Sequence, residues 1–178
     1  MPAGTLVTVY ENPSHSPTGQ PFVFEPYKVV SPSRQSIIDN RWRLSIVSRQ
    51  SSIVNSKLRM YMTMATWCVS CKRELPQLQR LRDQFQSDVL QMYGVPIDSK
   101  DVQKKLTAYV AQYKPAYKLL TDLTTDQTAE VQTLVKEELK LDGLPATIIT
   151  DGDGYVLRTM WNVPSESEVR QLLAELPQ

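Results

Sequence analysis

The sequence is poor in cysteine and histidine: 178 residues contain one histidine and two cysteines, and both cysteines fall in the single motif Cys68-Val69-Ser70-Cys71. This count excludes the disulfide framework that holds small secreted scaffolds together. A disulfide that closes so short a loop also restricts the unfolded chain very little, so a purely structural role is weak. We therefore expect the pair to be reactive, to bind a metal, or to be incidental.

Long apolar runs and an excess of one charge are also lacking. Twenty basic and nineteen acidic residues leave a net charge of +1, which provides no basic field for a nucleic-acid backbone. No stretch approaches the roughly 20 apolar residues of a membrane span, and no signal-peptide hydrophobic region follows Met1. We expect a chain that is soluble as given, with no nucleic-acid partner.

Prolines are concentrated near the beginning of the chain, where they disfavour helices and central strands. Those before residue 36 are Pro2, Pro13, Pro17, Pro21, Pro26 and Pro32. The sequence therefore predicts an N-terminal extension over residues 1–40, with candidate edge strands at 6–10 and 22–24. The remaining residues, 41–178, are predicted to form one domain.

Hydrophobic periodicity in the second part alternates between strand and helix patterns. Strands are predicted at 43–47, 58–64 and 89–95, and as a hairpin at 146–150 and 155–160 around Asp151-Gly152-Asp153-Gly154. Helices are predicted at 70–85, 101–113 and 126–140, the last with Gly143 as its stop, and after Ser165, where Glu168 completes a capping box. This order predicts an α/β fold with a mixed central sheet flanked by helices.

The two cysteines lie where a buried strand ends and an amphipathic helix begins. Thiols at positions i and i+3 of an opening helical turn lie close enough to form a disulfide. Cys68 would sit at the helix N-terminus, where free amides and the helix dipole favour a thiolate. We expect Cys68 to be the nucleophile and Cys71, one turn deeper and more shielded, to be the resolving thiol.

A C-x-x-C pair is also half of a zinc site. Four-ligand zinc needs two further Cys or His ligands, and this chain offers only His15, far upstream in the proline-rich extension. A zinc site within one chain is therefore disfavoured, and we predict no metal.

A wider pattern surrounds the motif. Ala65-Thr66-Trp67 precedes Cys68, Lys72-Arg73-Glu74-Leu75-Pro76 follows Cys71, and Leu144-Pro145-Ala146-Thr147 opens a strand much later. Over residues 57–176 this combination resembles the TlpA/ResA-like branch of the thioredoxin superfamily. The resemblance implies a thioredoxin-like fold and a redoxin that works as a thiol-disulfide oxidoreductase, with Cys68 and Cys71 as its redox-active pair.

The same resemblance implies roles for neighbouring residues. Trp67 corresponds to the tryptophan that offers a flat surface to a bound substrate. Pro145 corresponds to the cis-proline that faces the disulfide, so that the backbone of Leu144 can pair with an extended substrate. Glu74 corresponds to the acidic residue that can take a proton from the resolving thiol.

Compartment and partners follow from the resemblance alone. It implies an extracytoplasmic location, periplasmic or membrane-tethered, with the leader or anchor absent from this chain. It also implies reduction of protein disulfides, including those handled in cytochrome c maturation, and a separate thiol reductant that can be membrane-bound. We expect a monomer without a cofactor.

The sequence departs from the pattern of the relatives in two respects. Val69 and Ser70 lack the proline that many relatives carry between the cysteines, and we expect these two residues to tune the reduction potential. Met62 stands where thioredoxins carry an aspartate, six residues before Cys68.

Three alternatives stay open from the sequence. A peroxiredoxin-like peroxidase would share the fold, although a threonine and a single cysteine are expected at its motif. A copper carrier would suit two thiolates, although such relatives space the cysteines further apart and add a histidine late in the chain. A redox-silent docking protein would need no chemistry at Cys68.

Overall fold

The computed structural model describes residues 43–44 and 56–176. Strands and helices alternate along most of this part of the chain. The strands are β1 (Leu58–Met64), β2 (Leu90–Pro96), β3 (Lys118–Leu119), β4 (Ala146–Asp151) and β5 (Val156–Trp161). The helices are α1 (Val69–Arg73), α2 (Leu75–Gln84), α3 (Gln103–Tyr113), α4 (Thr125–Leu139) and α5 (Glu166–Glu175). Within these residues no helix is both long and apolar enough to cross a bilayer.

The five strands form one mixed sheet in the order β3-β2-β1-β4-β5. Strand β1 pairs parallel with β2 and antiparallel with β4, and β4 pairs antiparallel with β5. The mixed sheet flanked by helices that the sequence predicts is confirmed, as is the hairpin of β4 and β5.

Strand β1 lies at the centre of the sheet, and all of its residues except Arg59 are buried. Side chains alternate across a strand, so Met60 and Met62 pack into the core on one face while Tyr61 packs into the core on the other. The Tyr61 ring stacks on Tyr93 of β2, with centroids 5.3 Å apart. Each fully buried methionine contributes about 1.5–3 kcal/mol of hydrophobic free energy, which fixes β1 as the rigid support of the residues that follow it.

The predicted helix 70–85 is divided in two at Glu74. Pro76 has no amide proton and its ring would clash with an earlier carbonyl inside a continuous helix. In α2 it lies in the first turn, where no intrahelical donor is needed. The motif therefore sits on α1, a helix of only five residues.

The expected stop of the helix predicted at 126–140 is also wrong, and one strand went unpredicted. Helix α4 ends at Lys140, which adopts the left-handed conformation with φ 60°, so Gly143 is not its stop. A Cβ at Gly143 would lie 2.8 Å from the Trp161 ring, which explains the glycine there. Strand β3 has two residues, too few for any periodicity.

The N-terminal expectations lie largely outside the described residues. The candidate strands at 6–10 and 22–24 fall there entirely, and of the predicted strand 43–47 only the first two residues are described. Arg43 forms an isolated antiparallel bridge with Tyr155, and the Leu44 amide donates to the Gly154 carbonyl.

Candidate active site

The two cysteines are held at the point where β1 gives way to α1. The Cys68 amide donates to the Ala65 carbonyl at 3.0 Å, which closes the turn after the strand. Cys68 is the N-cap residue of α1, and its Sγ accepts the Cys71 amide at 3.0 Å. A disulfide joins Cys68 to Cys71, so the structure is that of the oxidised protein.

The expected difference in shielding between the two cysteines is not a difference in exposure. Cys68 is 2% exposed and Cys71 is 0% exposed. They differ instead in what they face. Cys68 lines a surface cavity, and Cys71 is not among the described residues that line it. An incoming group therefore reaches the Cys68 side of the disulfide first.

That cavity has a volume of about 410 Å³ and runs along the motif. Its lining residues are Trp67, Cys68, Val69, Ser70, Ile97, Gly143 and Leu144. A second cavity of about 440 Å³ shares Ile97 and Gly143 with it and continues toward α4. Because they share these two residues, the cavities form one open depression beside Cys68, which we call the groove.

One wall of the groove is the loop that opens β4. The Leu144–Pro145 peptide bond is cis, and Pro145 is buried. The buried Thr63 of β1 fixes this loop, because its hydroxyl accepts the Ala146 amide at 2.9 Å and lies 3.2 Å from the Ala146 carbonyl. The antiparallel pairing of β1 with β4 therefore brings Pro145 to the end of the sheet where the cysteines lie.

Ser70 connects the motif to the same loop. Its hydroxyl donates to the Leu144 carbonyl at 2.9 Å and lies 3.4 Å from the Cys68 Sγ. Val69, the other residue between the cysteines, is 60% exposed. Of these two residues, Ser70 is the one whose side chain contacts both the Cys68 sulfur and the Leu144 carbonyl.

Trp67 is on the surface, 63% exposed, at the edge of the groove. Its indole Nε1 donates to the Asp98 carboxylate at 2.6 Å. Hydrogen bonds from the Lys100 amide and then from Trp67 lower the pKa of Asp98 below its ordinary value. The anchored indole is thus held as an exposed apolar plate next to Cys68.

Asp101 holds the residue before Trp67 and is 7% exposed. Its carboxylate accepts both the Thr66 amide, at 2.6 Å, and the Thr66 hydroxyl, at 2.5 Å. Asp98 and Asp101 were not among the residues predicted for the site. The available signal was that both follow β2, whose carboxyl end meets that of its parallel neighbour β1.

Glu74 lies at the junction of α1 and α2 and is half-buried. Its Oε2 accepts the Val163 amide at 3.3 Å, across the turn between β5 and α5. Of the two basic residues that follow Cys71, Lys72 places its ammonium 5.1 Å from the centre of the Tyr113 ring. The structure thus brings Trp67, Val69, Ser70 and Leu144 around Cys68. Glu74 lies three residues after Cys71, where α1 meets α2.

A comparison with known protein families finds one whose model matches this chain. It is the AhpC/TSA family, over residues 45–159, which is more than half of the chain. The match begins before β1 and includes the motif, the cis-proline loop and most of β5.

Solved structures of similar shape come from several bacteria. A thiol-disulfide isomerase of Corynebacterium glutamicum has a TM-score of 0.54 at 16% identity, covering 76% of this chain and 90% of its own. A thiol:disulfide interchange protein of Chlorobium tepidum has 0.54 at 16%, covering 70% and 81%. A thio-disulfide isomerase of Thermus thermophilus has 0.50 at 22%, covering 66% and 77%. At such identities the likeness establishes a shared thioredoxin-like fold.

Proposed function

Since the chain belongs to the AhpC/TSA family, we propose that it is a thiol-disulfide oxidoreductase that reduces protein disulfides through Cys68 and Cys71. The observation that carries this proposal is the Cys68–Cys71 disulfide at the start of α1, with Cys68 on the wall of an open groove. A reversible disulfide needs two thiols at bonding distance and a path for the substrate to one of them, and this site offers both.

In the reduced protein, the Cys68 thiolate attacks a sulfur of the substrate disulfide and forms a mixed disulfide. One substrate sulfur leaves as a thiolate and takes a proton from water. Cys71 then loses its proton and attacks the Cys68 sulfur, which releases the second substrate thiolate. The Cys71 amide that donates to the Cys68 Sγ stabilises negative charge on that sulfur, which favours Cys68 as the attacking group.

The groove suits an extended segment of the substrate. Trp67 supplies an exposed aromatic surface beside Cys68, and Leu144, which precedes cis-Pro145, lines the same groove. We assign to Leu144 and Pro145 the pairing with the substrate backbone and to Trp67 the apolar contact. We also assign to Val69 and Ser70, the two residues between the cysteines, the tuning of the reduction potential; the Ser70 hydroxyl does so through its contact with the Cys68 sulfur.

Glu74 is the residue we assign to proton transfer from the Cys71 thiol. It follows Cys71 by three residues and is half-buried, with one carboxylate oxygen occupied by the Val163 amide. The second oxygen leaves the carboxylate an acceptor site for a proton, either directly or through a water molecule.

The wider setting of the reaction is proposed from the resemblance of the motif. We propose an extracytoplasmic, periplasmic or membrane-tethered location, a protein disulfide substrate that includes those of cytochrome c maturation, and a separate thiol reductant. The protein acts as a monomer, with 41–178 as the catalytic domain and 1–40 as an extension.

The test is an equilibrium redox titration of the full chain in glutathione or dithiothreitol buffers, together with an insulin-reduction assay. We expect a reversible two-electron transition at roughly −200 mV or below, in the range of reducing dithiol proteins. Cys71→Ser should accumulate mixed disulfides, whereas Cys68→Ser should neither trap substrate nor turn over. The matched pair separates the attacking thiol from the resolving thiol.

Other outcomes would contradict the proposal. Peroxide consumption without disulfide turnover would favour the peroxidase alternative. Tight stoichiometric Cu(I) binding by the reduced protein, with no reversible redox transition, would favour the carrier. If both thiols reacted equally slowly, the redox-silent docking protein would be the favoured alternative.

A further inference from the structure

Ser70 stands between two acceptors that belong to different parts of the reaction. Its hydroxyl donates to the Leu144 carbonyl at 2.9 Å, and the Cys68 Sγ lies 3.4 Å from the Ser70 hydroxyl oxygen. A hydroxyl has a single proton, so it makes one strong donation at a time. In the oxidised protein the sulfur is a weak acceptor, and the proton goes to the carbonyl.

Reduction changes the balance between these two acceptors. A thiolate at Cys68 is an ionised acceptor, and hydrogen bonds to ionised groups are roughly twice as strong as bonds between neutral groups. Ser70 already lies within 3.4 Å of this sulfur, so a rotation of its exposed side chain redirects the proton. The Leu144 carbonyl then loses its donor.

We propose that Ser70 is a redox-dependent positioning residue, which blocks the Leu144 carbonyl in the oxidised protein and frees it for the substrate backbone in the reduced protein. This inference rests on the proposed function, because it gives the carbonyl its substrate role. A carbonyl oxygen accepts two hydrogen bonds, so the serine weakens substrate binding rather than abolishing it.

The consequence is directional binding. The reduced protein holds the disulfide substrate more tightly. When the Cys68–Cys71 disulfide forms, the Ser70 hydroxyl again donates its hydrogen bond to the Leu144 carbonyl, which promotes release of the dithiol product. Ser70 keeps its own proton throughout. Two electrons pass from the protein dithiol to the substrate disulfide, and an external dithiol reductant restores the pair.

The first measurement is the carbonyl ¹³C resonance of Leu144 in the oxidised and the reduced full chain. In the wild type we expect this resonance to move to lower frequency on reduction, because the carbonyl loses a donor. Ser70→Ala should hold the lower frequency in both states, whereas Ser70→Thr should restore the redox-dependent shift. Ser167→Ala, which removes an exposed hydroxyl on α5, is the matched control and should behave as the wild type.

The second measurement is the affinity for an insulin B-chain peptide with both cysteines replaced by serine. We expect the reduced wild type to bind this probe about twofold to tenfold more tightly than the oxidised form, the range of one net hydrogen bond. In Ser70→Ala the two forms should bind it equally. A Leu144 resonance that does not respond to reduction, or a Ser70→Ala protein that keeps the affinity difference, would overturn the inference.

These readouts separate the inference from the proposed function. The carbonyl resonance requires only that the disulfide can be reduced, so it reports on Ser70 even in a protein that turns over no substrate. Conversely, normal insulin reduction by the wild type with a silent Leu144 resonance would leave the oxidoreductase intact and remove the role of Ser70.

Discussion

Asp98 and Asp101 fix the conformation of the turn that precedes Cys68. Asp101 binds both the amide and the hydroxyl of Thr66, and Asp98 binds the indole of Trp67. Hydrogen bonds to a carboxylate contribute more than neutral ones because one partner is ionised. The threonine and tryptophan of the motif are therefore supported by side chains that lie outside it.

Glu74 allows a prediction at the same scale. Glu74→Gln keeps an oxygen for the Val163 amide but cannot take up a proton. We expect the second step of insulin reduction, in which Cys71 resolves the mixed disulfide, to slow about a hundredfold, the lower range for general acid–base catalysis. Rapid-mixing measurement of product thiol release over a range of pH would test this.

The control for this experiment is Glu74→Ala, which loses the acceptor as well as the base. A structural role predicts that only the alanine variant is impaired, whereas a proton-transfer role predicts that both variants slow resolution. Unchanged resolution in Glu74→Gln at every pH would contradict the assignment.

At the scale of elements, the helices differ in how they begin. Helix α1 begins at Cys68, whose sulfur caps the Cys71 amide. Helices α4 and α5 begin with reciprocal capping boxes, Thr124 with Gln127 and Ser165 with Glu168. Cys68 thus occupies the N-cap position that α4 and α5 give to a hydroxyl residue.

The capping box of α5 predicts a pH-dependent stability. Hydrogen bonds from the Ser165 amide and then from its hydroxyl lower the pKa of Glu168 below its ordinary 4.5. The folded pKa is below the unfolded one, so this stabilisation is complete above about pH 4.5 and is lost as pH falls through the lower folded pKa. Ser165→Ala should cost about 1 kcal/mol at neutral pH, measured by urea unfolding, and should lose less stability than the wild type on acidification.

Thr124→Ala is the matched control, because its capping box uses the neutral Gln127. It should cost a similar free energy of unfolding while leaving the acid dependence as in the wild type. An identical pH dependence in Ser165→Ala and Thr124→Ala would contradict the account of Glu168.

At the scale of the whole molecule, the order of strands assembles the site. Strand β1 carries the motif at its carboxyl end and lies between β2, which leads to the two aspartates, and β4, which begins at the cis-proline loop. Three segments distant in sequence therefore meet beside Cys68.

The domain boundary gives a prediction at this scale. The five strands lie within 58–161, and the contacts of Arg43 and Leu44 with the β4–β5 hairpin are the earliest in the chain among the described residues, so 41–178 retains them. Removing residues 1–40 should leave the redox midpoint within about 10 mV of the full chain, which is under a tenfold change in equilibrium constant. A redox titration of 41–178 measures this, with circular dichroism to verify folding. A shift of the redox midpoint above about 30 mV would indicate that residues 1–40 help to hold the site in place.

The local elements and the pair of cysteines that form the disulfide could be predicted from the sequence alone. The apolar run 58–64, the helical periodicity around Leu78 and Leu81, and the Ser165 capping box depend on neighbours in sequence, so their patterns predicted them. The two cysteines were identifiable because they are the only ones and lie between a strand and a helix.

The surroundings of Cys68 depend on tertiary contacts. The donation of Ser70 to Leu144, the anchoring of Trp67 by Asp98 and the bond of Glu74 to Val163 join residues 31 or more positions apart. No periodicity records such contacts, because they depend on strand pairing and on where loops end. The expected helix stop at Gly143 was wrong for a related reason: Lys140 takes the left-handed conformation at the end of α4, as a lysine can when the surrounding chain requires it, although glycine adopts it at lower cost.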